Sequence, residues 1–391
     1  MRLAFVCHEY PPLGGGAASA LERFTRVLAE RGHEILVVTI GLGKMDQEER
    51  DGQGRHIVRL GVGRRTLLAP GLKTLMRSYL ALRGQSGDSI TRFKPDGVVA
   101  WFAFPAGHAV LPLVGRLGVP LVVSLRGSDV PGFSPGRWGR LGFMQGMLFK
   151  PAAKKADLLL ANGASLTCLA EKGLKRSVIN LPNGIDGRLF YPPQRPDDLP
   201  GPLRLLFVGQ LIPRKRCLEL LRGVVQFGEQ GGRGELTLVG EGPLWGALEE
   251  GVGQMPPTVK VRLAGFIPRE EMPGIYRQHD LLLHLSRAEG VSNVLLEGLS
   301  SGLGVVAAPE AVNGVVDGAG NAGGIQKLAS LRPQVIGEAL WRLDQDRPGL
   351  RAMQLAARQL AAGYSWEERA GRFEALMAQV GHQPTGEAVS G

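Results

Sequence analysis

Short apolar runs alternate with amphipathic segments along the whole chain. The first run, LAFVCHEY, leads into a GGG loop, and the next segment, ALERFTRVLAERG, places Leu21, Phe24 and Leu28 at helical spacing. A second apolar run, HEILVVTI, follows directly. This order predicts a strand, a loop, an amphipathic helix that ends at Gly32, and a second strand.

The same alternation continues and then restarts in the second half of the chain. Further apolar runs lie at residues 96–102, 120–125, 157–161 and 177–181. Residues 190–202 contain five prolines and no hydrophobic periodicity, which is typical of a linker. Beyond them come LRLLFVGQL, GELTLVG, VKVRLAGF, DLLLHLS and GVVAA. Because strands that alternate with helices form parallel sheets, the pattern predicts two doubly wound Rossmann-like α/β domains that join near residue 195.

The predicted domains are an N-terminal one over residues 1–195 and a second one over residues 196–364. Residues 365–391 should form a helix, about Ser365 to Val380, that packs back towards the N-terminal domain, followed by a flexible tail. Ligands of doubly wound sheets bind beyond the carboxyl ends of the strands. We therefore expect the functional site in a cleft that the two domains face.

Composition narrows the class of protein. The chain has 391 residues, of which 44% are hydrophobic and 21% charged, so disordered, collagenous and disulfide-scaffold classes are excluded. Its three cysteines, Cys7, Cys168 and Cys217, have no CxxC spacing, which favours a reducing compartment. No signal peptide or membrane-spanning segment is recognised, and a cytoplasmic location is expected.

Positive charge is concentrated in the first half of the chain. The net charge is +10, and residues 1–190 contain 26 Lys and Arg against 14 Asp and Glu. Nine of these cations lie between Arg55 and Lys94, where TLLAPGLKTLMRSYLALRG interleaves them with leucines such as Leu67, Leu68 and Leu72. The pattern fits a helix on an anionic membrane surface, and it equally fits an ordinary helix that packs on the sheet with a solvated basic face. A nucleic-acid partner is not expected, since no recognition motif accompanies the charge.

Two glutamates eight residues apart provide the first candidate for chemistry. In SRAEGVSNVLLEGLSSGLGVVAA, Glu289 follows an apolar strand within a glycine-containing loop, and Glu297 lies inside a predicted helix. This segment resembles the E-x7-E motif of retaining glycosyltransferases of family 4, the group 1 type. FVGQLIPRKR, LVGEGPLWGALE, GFIPREEMPGIYRQHDLLLHLS, LPNGIDGRLF and YSWEERAGRFEALM resemble further blocks of that family. The resemblance covers most of the chain and implies a GT-B fold and a nucleotide-sugar donor.

The residue types suit such a donor, whose diphosphate leaving group gains negative charge as the glycosidic bond breaks. Arg214 and Lys215, in the loop after the first strand of the second half, would stabilise that charge as catalytic cations. Taken alone, Arg214 and Lys215 could also be two solvent-exposed residues of a loop. Backbone N–H groups at the start of a helix bind phosphate or sugar oxygens, and four residues precede or begin the helix of Glu297: Gly290, Val291, Ser292 and Asn293. The resemblance implies that Glu289 holds hydroxyls of the donor sugar and is catalytic, and that Glu297 holds the ribose.

In the first half, the GGG loop and the segment SLRGSDVPGF are candidates. The dinucleotide fingerprint is broken because Ser19 stands where a glycine is required, so a plain glycine hinge is one reading of the loop. The resemblance implies instead that Gly15 and Gly16 approach the donor and Gly14 the acceptor. Arg126 stands where many relatives have histidine, and it offers a cation to an acceptor or donor phosphate. Asp129 is either a ligand of the acceptor hydroxyl or a capping residue.

No metal or other cofactor is expected. The histidines lack metal-ligand spacing, and Asp344-Gln345-Asp346, formally a D-x-D motif, precedes Arg347-Pro348 in a polar segment that reads as a solvated turn. The sequence thus predicts a metal-independent, retaining transfer of a sugar from a nucleotide-sugar to a hydroxyl of a glycan or lipid-linked acceptor, in cell-envelope polysaccharide or glycolipid synthesis. A sugar-nucleotide epimerase of the same fold and a non-catalytic sugar- or nucleotide-binding protein are the alternatives.

Overall fold

The computed structural model describes residues 1–66, 71–127, 129–133, 142–194, 201–287, 289–315 and 323–381. It divides into two compact units. Unit 1 comprises Met1–Asn183 and the helix that begins at Trp366, and unit 2 comprises Gly184–Ser365. Both units are α/β, and the predicted fold class of two Rossmann-like domains is confirmed.

Unit 1 is built on an eight-stranded sheet. Its strands are β1 (Arg2–Val6), β2 (Glu34–Leu42), β3 (Gln47–Arg50), β4 (Arg55–Arg64), β5 (Gly97–Trp101), β6 (Leu121–Leu125), β7 (Leu158–Ala161) and β8 (Ile179–Asn180). Its helices up to this point in the chain are α1 (Gly16–Glu30), α2 (Leu72–Phe93), α3 (His108–Leu117), α4 (Gly142–Lys155) and α5 (Ala164–Leu174). The strand order is β3-β4-β2-β1-β5-β6-β7-β8, parallel except for the antiparallel β3–β4 pair. The central strands are buried on both faces, which explains their continuous apolar sequences.

Unit 2 is built on a smaller, fully parallel sheet. Its strands are β9 (Leu203–Val208), β10 (Gly234–Val239), β11 (Val259–Gly265), β12 (Leu281–His284), β13 (Gly304–Ala307) and β14 (Ile325–Lys327), in the order β11-β10-β9-β12-β13-β14. Its helices are α6 (Cys217–Glu229), α7 (Trp245–Val252), α8 (Met272–Arg277), α9 (Asn293–Ser300), α10 (Pro309–Val312), α11 (Pro333–Gln345) and α12 (Arg347–Ala362). From β9 the chain adds β10 and β11 on one side, and then β12, β13 and β14 on the other side. The order of strands therefore reverses between β9 and β12. In sheets of this kind, the crevice at that reversal is where ligands bind.

The last helix, α13 (Trp366–Gly381), packs within unit 1 against α1. Phe373 meets Phe24 edge to face, with ring centroids 5.2 Å apart. Glu374 accepts hydrogen bonds from Arg31 at 2.6 Å and contacts His33 at 2.8 Å. Unit 1 therefore takes its final helix from the far end of the chain.

The division between the units lies earlier than the predicted boundary at residue 195. Ile185 donates its N–H to Tyr364 O at 2.6 Å, inside unit 2. Phe190 is 2% exposed in the core of unit 2, and its carbonyl accepts from Ser300 Oγ at 2.7 Å. Residues 184–194 thus belong to unit 2 because their backbone and side chains are anchored there. Residues 195–200, in the middle of the predicted linker, lie outside the described residues.

Strand β4 corrects the interpretation of the basic stretch. Arg55 and Arg64 are buried, and Arg59 is nearly so. Arg55 Nε pairs with Asp51 at 2.5 Å, Arg59 pairs with Glu49 at 2.9 Å, and Arg64 donates to Thr66 O at 2.9 Å. These three cations bind partners within unit 1 and are not available to a membrane surface.

Candidate functional site

Arg214 and Lys215 lie in unit 2 at the carboxyl edge of β9. Pro213–Lys215 forms a single 3-10 turn, separated from the end of β9 by four residues. The loop that carries Glu289 follows β12, the neighbour of β9 in the sheet. Arg287 N–H donates to Arg214 O at 3.0 Å, so the two loops are joined through their backbones. Both loops therefore lie at the point between β9 and β12 where the strand order reverses.

Three donors converge on one oxygen of Glu289. Lys215 Nζ lies 2.6 Å from Glu289 Oε1, Arg214 lies 3.2 Å from the same atom, and Ser286 Oγ donates to it at 2.7 Å. The Lys215 and Glu289 side chains are 12% and 16% exposed, whereas Arg214 is 36% exposed. The structure therefore brings together all three residues predicted to be catalytic, as a cation pair and its internal counter-anion.

The electrostatics of this group keep Glu289 ionised. Burial alone would raise the pKa of its carboxyl, but Lys215, His284 and Arg214 outweigh burial and lower the pKa to about 2. Burial, reinforced by Lys215, lowers the pKa of His284 to about 4, so this imidazole is neutral at neutral pH. Glu289 is consequently a permanent hydrogen-bond acceptor and does not serve as a proton donor.

Helix α9 carries the second glutamate of the motif. Ser292 is its N-cap residue, and Val291 and Ser292 are buried. The preceding Gly290 packs against Gly314, where a Cβ atom would come within 3.3 Å of the Gly290 backbone. Glu297 is partly exposed, and its Oε2 accepts a hydrogen bond from Tyr276 Oη at 2.8 Å. Residues 290–292 thus lead into the N-terminus of α9, which begins at Asn293 in the loop that also carries Glu289.

Two glycines fix the loop that precedes Arg214. Gly240 has φ +132°, and a Cβ there would lie 2.0 Å from Gly209 O. A Cβ at Gly242 would lie 2.4 Å from Leu211 O. The GEG sequence after β10 is thus required for the close approach of two loops, which sets the position of the cationic turn.

The GGG loop lies in unit 1 at the carboxyl end of β1. Gly14 has φ +92°, and a Cβ atom there would lie 2.8 Å from Glu9 Cβ and 2.9 Å from Glu9 Oε2. At Gly15, the N-cap of α1, a Cβ would meet no atom within 4 Å, and Gly16 is the first residue of the helix. Gly14 is therefore required by its own protein neighbours, whereas the space beside Gly15 is open to a ligand.

Arg126 is held by neutral groups in unit 1. Its guanidinium lies 3.3 Å from the centroid of the Trp101 ring and donates to Asn183 Oδ1 at 2.8 Å and to Ser124 Oγ at 2.7 Å. Burial lowers its pKa to about 9. Its Nε is buried without a hydrogen-bond partner among the described residues. The guanidinium is thus hydrogen-bonded by neutral groups, and the nearby Asp129 carboxylate offsets part of the cost of burying its charge.

Asp129 was predicted to be either a ligand of the acceptor hydroxyl or a capping residue. It is 6% exposed and accepts hydrogen bonds from the backbone N–H groups of Ala103 at 2.7 Å and of Arg126 and Gly127 at 3.0 Å. Its carboxylate is occupied by the polypeptide itself. The capping alternative fits this geometry, and Asp129 positions the loop that carries Arg126.

Four residues near these groups were missed by the sequence analysis: Glu9, Trp101, Ser286 and Tyr276. Glu9 is separated from the GGG loop by only four residues, and Ser286 precedes Glu289 by three, so proximity in the chain was an available signal. No local pattern pairs Tyr276 with Glu297 or Trp101 with Arg126, because those contacts arise only when separate elements pack.

The D-x-D sequence forms a helix start. Asp346 Oδ1 accepts from Gly349 N–H at 2.9 Å as the N-cap of α12, and Asp344 pairs with Arg347. Over the described parts of the chain, no group of three or more His, Cys, Asp and Glu side chains is placed to hold a metal ion.

Known protein families match both units. The family described as Glycosyltransferase Family 4 matches residues 14–188, and the family described as Glycosyl transferases group 1 matches residues 202–343. A GDP-mannose-dependent alpha-mannosyltransferase of Mycobacterium tuberculosis is 28% identical, with 96% of this chain and 97% of that protein aligned. The sulfoquinovosyl transferase SQD2 of Arabidopsis thaliana is also 28% identical, over 75% of this chain but only 56% of the plant protein.

A solved structure supports the fold. Sucrose-phosphate synthase from Thermosynechococcus elongatus superimposes with a TM-score of 0.81 at 16% sequence identity. The superposition covers 97% of this chain and 98% of that one.

Proposed function

The chain belongs to the group 1 glycosyltransferases of family 4, and from this we propose that it transfers a sugar from a nucleotide-sugar to a hydroxyl group with retention of the anomeric configuration and without a metal ion. We further propose that the acceptor is a glycan or a lipid-linked sugar of the cell envelope. The observation that supports the donor half most directly is the convergence of Lys215 and Arg214 on Glu289.

In this proposal Arg214 and Lys215 bind the diphosphate of the donor. The bond between the anomeric carbon and the diphosphate oxygen breaks, and negative charge accumulates on the leaving group. Two fixed cations and the N–H groups at the start of α9 stabilise that charge with no rearrangement of solvent. The protein thus supplies the positive charge that a metal ion supplies in other enzymes.

Retention follows if the acceptor hydroxyl attacks from the face that the diphosphate leaves. The new bond joins the acceptor oxygen to the anomeric carbon, and the hydroxyl proton passes to an oxygen of the departing diphosphate. Glu289, ionised throughout, orients hydroxyls of the donor sugar by accepting their hydrogen bonds. Glu297 holds the ribose, and in unit 1 the open space at Gly15 and the cation Arg126 serve the donor and an anionic acceptor.

A direct assay tests the donor chemistry. We expect purified protein to bind one of UDP-, GDP- or ADP-sugars, raising its melting temperature, and to release the nucleoside diphosphate in the presence of EDTA. NMR of the glycoside formed should show the anomeric configuration of the donor. An inverted product contradicts the retaining mechanism, and loss of activity in EDTA that Mn²⁺ or Mg²⁺ restores contradicts metal independence.

We also propose that unit 1 meets an anionic membrane through α2. No described helix has the length and apolar character that crossing a bilayer requires. One face of α2 exposes Leu72, Met76 and Leu80, which are 47%, 40% and 62% exposed, together with Lys73 and Arg77. Such a mixture of exposed apolar and basic side chains suits the headgroup region of a bilayer. Leu67 and Leu68 lie outside the described residues.

Further along the same helix, a basic cavity supports this proposal. Arg83 and Arg92 of α2 and Arg116 of α3 line a cavity of about 760 Å³ together with Asp88. Its floor includes Leu113, and the three cations exceed the single carboxylate. A phosphate-bearing headgroup matches the excess of positive charge around this space.

Sedimentation with liposomes tests the membrane proposal. At low salt the protein should pellet with vesicles that contain acidic lipid, and the bound fraction should fall as salt screens the charges. Replacing Lys73 and Arg77 with glutamine should weaken binding roughly 30-fold, at about 1 kcal/mol for each cation. Glutamine at the exposed Arg222 and Lys260 of unit 2 is the matched control. A wild-type protein that stays in the supernatant at low salt contradicts the proposal.

A further inference from the structure

The second glutamate of the motif has a buried hydrogen-bond donor behind it. Tyr276 lies in α8, and its Oη donates to Glu297 Oε2 at 2.8 Å. The tyrosine is 0% exposed, and its ring meets Phe190 edge to face with centroids 5.7 Å apart. The hydroxyl therefore has a fixed position, set by packing in the core of unit 2.

The hydrogen bond from Tyr276 restricts the rotation of the Glu297 carboxylate. Glu297 is partly exposed on α9, and a glutamate side chain has three rotatable bonds whose restriction costs free energy when a ligand binds. A donor that is already in place before the ligand arrives removes part of that cost. Burial and the negative charge of Glu297 also raise the pKa of Tyr276 well above its usual value, so the phenol keeps its proton at any physiological pH.

We propose that Tyr276 is a positioning residue for nucleotide recognition, which orients Glu297 towards the ribose hydroxyls and so makes donor binding depend on them. The proposal rests on the function proposed above, in which Glu297 holds the ribose. Tyr276 itself touches no part of the donor. Its contribution should therefore vanish when the ribose hydroxyls are absent.

Binding of nucleoside diphosphates and their 2′,3′-dideoxy counterparts tests this dependence. Calorimetry with UDP, GDP and ADP selects the base, and the affinity ratio between the ribo and dideoxy forms is then measured for each variant. The wild type should prefer the ribo form. Tyr276→Phe removes only the hydroxyl and should weaken binding of the ribo form about tenfold, as loss of a partner that orients a ligand-binding residue commonly does. Its binding of the dideoxy form should be unchanged.

Two comparison variants make the result decisive. Tyr191→Phe removes the hydroxyl of an exposed tyrosine in the same unit, whose ring lies under Arg277, and should leave the affinity ratio at the wild-type value. Glu297→Gln should reduce the ratio at least as far as Tyr276→Phe. Thermal unfolding of every variant shows whether unit 2 remains intact.

Failure of the positioning role of Tyr276 and failure of the ribose role of Glu297 give different results. If Glu297→Gln loses the ratio and Tyr276→Phe keeps it, the positioning role is overturned while the ribose role of Glu297 stands. Equal weakening of both nucleotide forms by Tyr276→Phe means a merely structural tyrosine and also overturns the proposal. If Glu297→Gln leaves the ratio unchanged, the ribose assignment itself is wrong.

Discussion

Lys215→Ala should lower turnover at saturating donor about 100-fold. Removal of one preorganised group that stabilises the developing charge costs about 3 kcal/mol in transition-state free energy. Lys215 is the closer and more buried of the two cations on Glu289, at 2.6 Å and 12% exposed. Arg214, at 3.2 Å and 36% exposed, should have a smaller effect when changed to alanine, about tenfold.

The rate of nucleoside diphosphate release, measured at saturating donor and acceptor, checks this expectation. Arg222→Ala is the matched control, because Arg222 is exposed on the helix that follows the cationic turn. Lys215→Ala also leaves Glu289, whose side chain is only 16% exposed, with fewer partners, so thermal unfolding must accompany the kinetics. A folded Lys215→Ala protein with wild-type turnover would remove the leaving-group role from this residue.

The buried parallel strands were the most predictable part of the fold. β1, β5, β6 and β7 in unit 1, and β12 and β13 in unit 2, coincide with apolar runs because both faces of these strands are covered, whereas the run of β11 lies in a partly exposed edge strand. These apolar runs can be recognised in the local sequence without knowing which strands are neighbours. The short β14, with the sequence IQK, carries too little hydrophobic pattern to be recognised.

The β3–β4 pair was not predicted, because its charged side chains were interpreted as lying on the protein surface. In RHIVRLGVGR the apolar residues Ile57, Val58 and Leu60 are buried as in a strand, but Arg55 and Arg64 at its two ends are buried with them. Arg55 can be buried only because Asp51, Tyr10 and Glu22 surround its guanidinium. Those partners come from three separate segments, so the local sequence does not distinguish this strand from a solvated basic stretch.

The candidate site was predictable as a set of residues but not as a set of contacts. That Arg214 and Glu289 follow two strands, β9 and β12, could be inferred from the apolar runs before them. That these strands are neighbours depends on the crossover order of the sheet, which the sequence pattern does not specify. The pairing of Glu289 with Lys215 follows from that order, and it changes what a substitution of Glu289 should do.

Glu289→Gln should strengthen the binding of the nucleoside diphosphate and slow the transfer of the sugar. In the ligand-free protein the carboxylate neutralises the cations that are proposed to bind the diphosphate. A donor must therefore compete with Glu289 for Lys215. Breaking a hydrogen bond to a charged group of this kind costs about 1.5 kcal/mol or more, and in Glu289→Gln the donor no longer meets that cost. We expect the free nucleoside diphosphate to bind Glu289→Gln about tenfold more tightly than the wild type.

Sugar transfer by the same variant should become slower. A neutral amide accepts hydrogen bonds from the sugar hydroxyls less strongly than a carboxylate whose pKa is about 2, and the loss in single-turnover rate should be about 100-fold. Calorimetry with the nucleoside diphosphate and single-turnover transfer with the nucleotide-sugar measure the two effects separately.

Glu310→Gln is the matched control for both measurements. Glu310 pairs at 2.7 Å with Arg216, the residue next to Lys215 in the chain, so the change removes a carboxylate from a neighbouring ion pair of the same kind. Neither nucleotide affinity nor transfer should change by more than about twofold, because Glu310 is 39% exposed and solvent screens its interaction with Arg216. If Glu289→Gln instead weakens nucleoside diphosphate and nucleotide-sugar equally, its carboxylate does not compete with the diphosphate. The Lys215–Glu289 pair would then be a structural contact, and the cations that meet the leaving group would have to be sought elsewhere in the protein.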